Sequence, residues 1–159
     1  MKTSLGIWAF GNMATRFNAG GYKPELSGVS TATKIRTAVE GLGDLIDDYE
    51  FHYPQELAPA NLAEVQEALA GHGIYCVCSG LHLDSRFGKG AFCSPDDATR
   101  AEALRLTREG IDLAAEVGAN FIIWPGIEGY NYPFQAPYRE SWRWLIGRAS
   151  CRERVSFLV

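Results

Sequence analysis

Short apolar runs alternate along this chain with longer stretches of helical hydrophobic spacing. The apolar runs predict strands over Ser4–Phe10, Leu45–Phe51, Ile74–Ser79 and Asn120–Trp124. The helical spacing predicts helices over Thr31–Leu42 and Asn61–Ala70, a third from a Ser94 cap to about Val117, and a fourth from Tyr138. Strand and helix therefore alternate four times, which is typical of a parallel sheet with right-handed crossovers.

The loops that follow the strands are long and glycine-rich, whereas the turns from helix to strand are short. This asymmetry is typical of a (β/α)8 barrel, whose functional loops lie at the carboxyl ends of the strands. Four units in about 145 residues scale to roughly 290 residues for eight, within the usual range of that fold. We therefore predict an α/β chain that forms the N-terminal half of a TIM barrel. An open doubly wound sheet is the alternative, but no Gly-x-Gly-x-x-Gly motif follows the first strand.

Composition narrows the range of partners. The net charge is −4, with 15 basic and 19 acidic residues, which argues against nucleic acid or an anionic membrane as the main partner. No apolar run approaches the roughly 20 residues that a membrane span requires. Cys76 and Cys78 lie in an apolar strand, where reduced cysteines behave as small hydrophobes, and no nearby Cys or His completes a metal set. We expect a cytoplasmic protein in a reducing compartment.

His52 is the first candidate for chemistry, because it directly follows the second predicted strand, where barrel enzymes place catalytic groups. A histidine there can act as general acid or base near neutral pH. The alternative is a structural histidine bound to a loop carbonyl. Gln55 and Glu56 are candidates to orient the ring, although solvated loop polarity is the more ordinary role, above all for Glu56.

Aromatic residues are the second group of candidates. Trp8 and Trp124 lie at or near the ends of strands one and four, where aromatic walls are typical of sugar sites and core packing is the alternative. Phe87 lies in a glycine-rich loop, where an exposed ring is unfavourable unless it covers a ligand or a second subunit. Glu128 follows strand four and is a candidate for substrate binding, with a catalytic role or a loop-shaping role also open to it.

Several motifs, in their order and spacing over residues 4–145, resemble the xylose isomerase family of TIM-barrel proteins. They are Gly6–Gly11, Phe51-His52 with Gln55–Leu57, Arg86–Phe92, Ala103–Ala119 and Trp124–Gly129. The resemblance implies interconversion of an aldose and a ketose with two divalent cations, Mg²⁺ or Mn²⁺, by a homo-oligomer. It implies that His52 assists sugar ring opening and that Trp8, Phe87 and Trp124 wall the pocket. Phe17 falls one position from an aromatic that reaches into a neighbouring subunit's site.

One departure from the family concerns the partner of His52. The family commonly has an aspartate three residues after the histidine, and Gln55 stands there in this chain. An amide oxygen can still accept the ring N–H, but it stabilises an imidazolium less. An epimerase of the same superfamily and a non-catalytic sugar-binding module therefore stay open. A nuclease-type barrel of the superfamily would need several His and carboxylate ligands early in the chain, and the acidic charge and three histidines argue against it.

The strand–helix pattern ends near Leu145. Ile146–Val155 resembles the translation of a widely used sequencing adapter, with a basic amphipathic helix end as the alternative. We expect residues 1–145 to form a partial barrel and residues 146–159 to be a non-native tail. The resemblance places the family's metal ligands on later strands, from the fifth onward. We therefore expect no metal site in this chain and no catalysis by this polypeptide alone.

Overall fold

Four parallel strands form one sheet in the order β1-β2-β3-β4, and a helix follows each strand. The computed structural model describes residues 2–12, 20–125, 128 and 137–149, with residues 147–149 described by backbone only. The strands are β1 Ser4–Gly6, β2 Asp48–Tyr53, β3 Gly73–Ser79 and β4 Asn120–Ile122. The helices are α1 Thr31–Leu42, α2 Leu62–Ala68, α3 Asp97–Glu116 and α4 Tyr138–Ala149. This confirms the predicted four βα units, half of the eight in a TIM barrel.

The register of the sheet brings the carboxyl ends of the strands to one edge. β2 pairs with β3 from Asp48 opposite Gly73 to Tyr53 opposite Ser79, with a register shift after Tyr49. β1 pairs with the first half of β2, and β4 pairs with the middle of β3. The loops that follow the four strands therefore meet at the same edge, which is where this fold places its sites.

Helix α1 has the predicted bounds because both of its ends are encoded locally. The Ser30 hydroxyl oxygen accepts a hydrogen bond from the Thr33 backbone N–H at 3.2 Å, which caps the amino end. Gly43, with φ 49°, follows the last residue and allows a backbone turn that is costly for other residues. Ile35 and Ala38 are fully buried and form the face that packs into the core.

Helix α3 begins later than predicted. Asp96 caps it, because its Oδ2 accepts a hydrogen bond from the Thr99 backbone N–H at 2.7 Å. The predicted cap, Ser94, is wrong: its side chain is buried, and its hydroxyl accepts the Asp96 N–H at 3.2 Å. Both residue types are good caps, so the choice between them depended on the path of the preceding loop.

The first two strands also differ from the prediction. Ile7–Phe10 is a turn of 3-10 helix, so β1 ends at Gly6, four residues earlier than predicted. Gly43–Leu45 is a second such turn, and β2 starts at Asp48 and continues to Tyr53. His52 therefore lies inside the strand and not in the loop after it. Its backbone is held by the pairing of the strands in the sheet.

Helix α3 packs on the sheet closely enough to exclude a larger side chain at one position. Gly110 of α3 faces the sheet, and a Cβ there would lie 2.7 Å from Phe121 Cε2 and 3.2 Å from Tyr53 Cδ1. By contrast, nothing lies within 4 Å of a Cβ built on Gly41 of α1. The two helical glycines therefore have different roles, the first required by packing and the second not.

We expect Gly110→Ala to lower the free energy of unfolding by about 1–3 kcal/mol, because the added methyl group overfills this contact. The matched variant Gly41→Ala should raise it by roughly 0.5–1 kcal/mol, because alanine loses less backbone entropy in a helix. Urea unfolding followed by circular dichroism measures both changes. Equal stability of the two variants would show that α3 does not approach β4 this closely.

Candidate functional site

A histidine and a carboxylate form a buried pair at the end of β2. Glu56 Oε2 lies 3.0 Å from His52 Nδ1 and also accepts the His52 backbone N–H at 3.0 Å. The two side chains are only 7% and 5% exposed. An ionised carboxylate can only accept hydrogen bonds, and with Glu56 in that state Nδ1 carries the hydrogen of this contact. The ring is thereby fixed in orientation, and Nε2 is the nitrogen left for a ligand.

Two roles were open to Glu56, orienting the His52 ring or solvated loop polarity, and the second, which was the more ordinary, is wrong. Its side chain is buried, and its second oxygen, Oε1, lies 3.6 Å from Lys34 Nζ of α1. Gln55, in contrast, is an exposed residue, and its amide nitrogen donates to the Gly80 carbonyl at 3.1 Å. The described contacts therefore pair the His52 ring with Glu56, four residues on, and place Gln55 across the end of β3.

An aromatic row crosses the carboxyl edge of the sheet, and we define it as Trp8, His52, His82 and Trp124. The ring centroids of Trp8 and His52 are 4.4 Å apart, those of His52 and His82 are 5.0 Å apart, and those of His82 and Trp124 are 4.4 Å apart. Trp124 is 49% exposed, so the row reaches from the buried His52 to solvent. Both predicted tryptophans thus lie in one site with His52.

His82 is the member of the aromatic row that sequence reasoning missed, because no pattern in the chain distinguished it. Burial, and then the neighbouring His52, lower the pKa of His82 to about 4. The ring is therefore neutral at physiological pH and packs between the rings of His52 and Trp124. Its Nδ1 is buried and has no hydrogen-bond partner within the described part of the chain. Its place just after β3 was the available signal, since that is where barrel sites collect residues.

Phe87 is fully buried, so the idea of an exposed aromatic in a glycine-rich loop does not hold. The ring belongs to the hydrophobic core cluster, and the Arg86 guanidinium lies 5.7 Å from its centroid on the outside. Phe87 therefore anchors the long loop after β3 to the hydrophobic core. A role in walling a ligand pocket stays a prediction.

Glu128 binds backbone and joins two loops. Its carboxylate accepts the N–H groups of Ala91, Phe92 and Cys93 at 3.2, 2.7 and 2.8 Å. Three successive N–H groups aimed at one carboxylate form an anion-binding nest of the kind that backbone turns provide. The loop after β4 is thereby tied to the loop after β3. Both carboxylate oxygens are used in these bonds, which favours the loop-shaping role over contact with substrate.

The described residues do not fit a pair of divalent cations. No group of three or more His, Cys, Asp or Glu side chains in the described ranges is arranged to hold a metal ion. Burial raises the pKa of Cys76 to about 12 and that of Cys78 to about 11, so neither is a ready thiolate ligand. Phe17, the predicted intersubunit aromatic, lies outside the described residues.

Parallel βα units with a histidine–carboxylate pair and an aromatic row at the carboxyl edge define a barrel-type protein whose site is built on strand ends. A family model described as "Xylose isomerase-like TIM barrel" matches residues 20–153. The chain therefore belongs to the xylose isomerase-like TIM barrel family. In the described ranges, no helix is both long and apolar enough to cross a membrane.

Two curated relatives are similar over nearly the whole chain. A xylose isomerase of Thermus thermophilus is 29% identical over 165 residues, covering 99% of this chain. A xylose isomerase of Thermus caldophilus is 28% identical over 166 residues, also covering 99% of this chain. The chain spans 41% of the length of each relative.

We expect Glu128→Ala to speed amide exchange at Ala91–Cys93 by at least about tenfold, since hydrogen bonds to a charged group contribute about 1.5–3 kcal/mol. Glu128→Gln keeps one acceptor oxygen and should give an intermediate rate. Hydrogen–deuterium exchange of the peptide over residues 85–96, read by mass spectrometry, measures this. Glu116→Gln, at the exposed end of α3, is the control. Unchanged exchange in Glu128→Ala would contradict the joining of the two loops.

Proposed function

We propose that this chain is the barrel half of a sugar isomerase that interconverts an aldose and its ketose. The observation that carries the proposal is the buried His52–Glu56 pair held beside Trp8 at the carboxyl edge of the sheet. Membership of the xylose isomerase-like family supports it, as do two relatives named xylose isomerase. Because the chain spans 41% of those relatives, the complete enzyme is part of the proposal.

In this proposal His52 assists the opening of the sugar ring. Its Nδ1–H is engaged by Glu56, so Nε2 is the atom that takes a proton from a sugar hydroxyl or returns one to it. Trp8 and Trp124 offer flat apolar faces for the sugar's C–H surface. Their rings also exclude water from the histidine, which strengthens its hydrogen bonds.

The proposal for the complete protein includes Mg²⁺ or Mn²⁺, a cytoplasmic location and assembly as a homo-oligomer. The described residues provide no ligand set for such cations, so we assign the ligands to parts of the protein outside them. The described cysteines, Cys76, Cys78 and Cys93, are free, which supports a reducing compartment.

The test is an aldose–ketose assay of the complete open reading frame with Mg²⁺ or Mn²⁺ and with a chelator. We expect conversion that the chelator abolishes, and a loss of at least about 10²-fold in the rate on cyclic sugar in His52→Asn, the usual contribution of one acid–base group. His72→Asn is the matched control, because His72 packs on Tyr49 just before β3, at the opposite edge of the sheet. Wild-type rates in His52→Asn would remove His52 from the mechanism.

A non-catalytic sugar-binding module is the second candidate, and the aromatic row favours it. The row is complete within this chain and needs no metal to contact a sugar. Sugar binding that a chelator leaves unchanged, without conversion, would favour the module over the isomerase. Formation of an epimeric aldose in place of a ketose would favour an epimerase of the same superfamily.

We also propose that residues 1–145 are the partial barrel and that residues 146–159 are a non-native tail. The resemblance of Ile146–Val155 to a translated adapter supports this division. Against it, α4 continues to Ala149 and the family match extends to residue 153. Re-amplification and sequencing of the source locus tests the division. We expect the genomic frame to diverge from this sequence after Leu145, and an identical frame through Val159 would refute the proposal.

A further inference from the structure

We propose that Lys34 is a positioning residue that keeps His52 neutral by supplying the positive charge that Glu56 requires. Lys34 Nζ lies 3.6 Å from Glu56 Oε1, while His52 Nδ1 lies 3.0 Å from Oε2. The two oxygens of one carboxylate are thus divided between a lysine from α1 and a histidine from β2. The inference rests on the proposed use of His52 in the site, but it does not depend on isomerisation.

The route of Lys34 to this carboxylate is built into the fold. The Lys34 side chain passes over Gly11, where a Cβ would lie 2.6 Å from Nζ and 2.7 Å from Cε. Gly11 has φ −131°, which any residue can adopt, so what it supplies is space and not an unusual backbone. The Lys34 side chain is 14% exposed, which leaves the ammonium little water to replace Glu56 as its partner.

The balance of charge among Lys34, Glu56 and His52, which we call the cluster, explains what Lys34 does. A carboxylate that is withdrawn from water either pairs with a cation or takes up a proton. Lys34 and ionised Glu56 together are neutral, so His52 does not need to be charged for the cluster to balance. The ring then donates Nδ1–H to Glu56 and keeps a lone pair on Nε2. Without Lys34 the cluster has a net negative charge, which favours uptake of a proton by the His52–Glu56 pair.

The other groups that face the His52 ring do not supply this charge. Burial lowers the pKa of His82 to about 4 and raises the pKa of Cys78, the register partner of His52, to about 11, so both are neutral at pH 7.5. Glu50 lies two residues earlier on the same face of β2 and accepts the Ser4 hydroxyl at 2.7 Å. Lys34 is the cation that the described contacts place on Glu56.

The test reads the tautomer and charge of His52 directly, by long-range ¹H–¹⁵N spectra of the full chain at pH 7.5. We expect a neutral ring with hydrogen on Nδ1 in the wild type. In Lys34→Met we expect one of two changes, because the charge of Glu56 is no longer compensated. If the ring takes the proton, its protonated fraction should rise about tenfold. If Glu56 takes the proton, the hydrogen of the ring should move from Nδ1 to Nε2. Lys34→Arg should keep the wild-type signals.

One control and one further variant keep the test decisive. Lys2→Met removes a lysine that is 84% exposed and should leave His52 unchanged. Lys34→Gln, which keeps a polar side chain but not the charge, should give the same change as Lys34→Met, and it serves if Lys34→Met does not fold. Wild-type signals of His52 in Lys34→Met, or in Lys34→Gln, would overturn the inference. This test measures no turnover, so its result can be interpreted even if the isomerase assay fails. A failure of this test would likewise leave the isomerase assay interpretable.

Discussion

β2 and β3 pair in parallel over six residue pairs, and this ladder determines where every residue of the site can lie. The pairing sets His52 beside Cys78, and β4 joins the far side of β3 in register with the same residues. Since parallel strands all end at one edge, the loops that carry Trp8, Glu56, His82 and Trp124 are brought together without any direct link along the chain. A shift of the ladder by one residue would turn His52 to the other face.

Among the residues at that edge, the buried Glu56 places the strictest requirement on its neighbours. A buried carboxylate is tolerated only with charge and hydrogen-bond partners, and it has a lysine, a ring nitrogen and a backbone N–H. The lysine comes from α1, whereas the ring nitrogen and the backbone N–H both belong to His52 of β2. In the family pattern the partner of His52 lies three residues after it, where this chain has the neutral Gln55. The structure shows that the next residue supplies the carboxylate.

The loops after β3 and β4 show why polar residues in loops are difficult to interpret from sequence. Glu128 was a candidate for substrate contact, yet its oxygens accept three backbone N–H groups 35 to 37 residues earlier in the chain. Phe87 was expected to cover a ligand or a second subunit, yet it is fully buried in the hydrophobic core cluster. A backbone nest and a core contact leave no periodic signature, because both depend on the path of a distant segment.

The sequence by itself determined the number, type and order of the elements, because apolar periodicity and caps are local signals. α1 agrees to the residue, since Ser30 and Gly43 mark its ends. The sequence also indicated His52 and both tryptophans as candidates, since barrel sites lie at strand ends. Only the tertiary structure decided their partners. Glu56 turns back onto His52 in the loop that follows β2. His82 meets His52 through the pairing of β2 with β3, and Lys34 meets Glu56 through the space left at Gly11. The last two are contacts between distant segments, which no local pattern encodes.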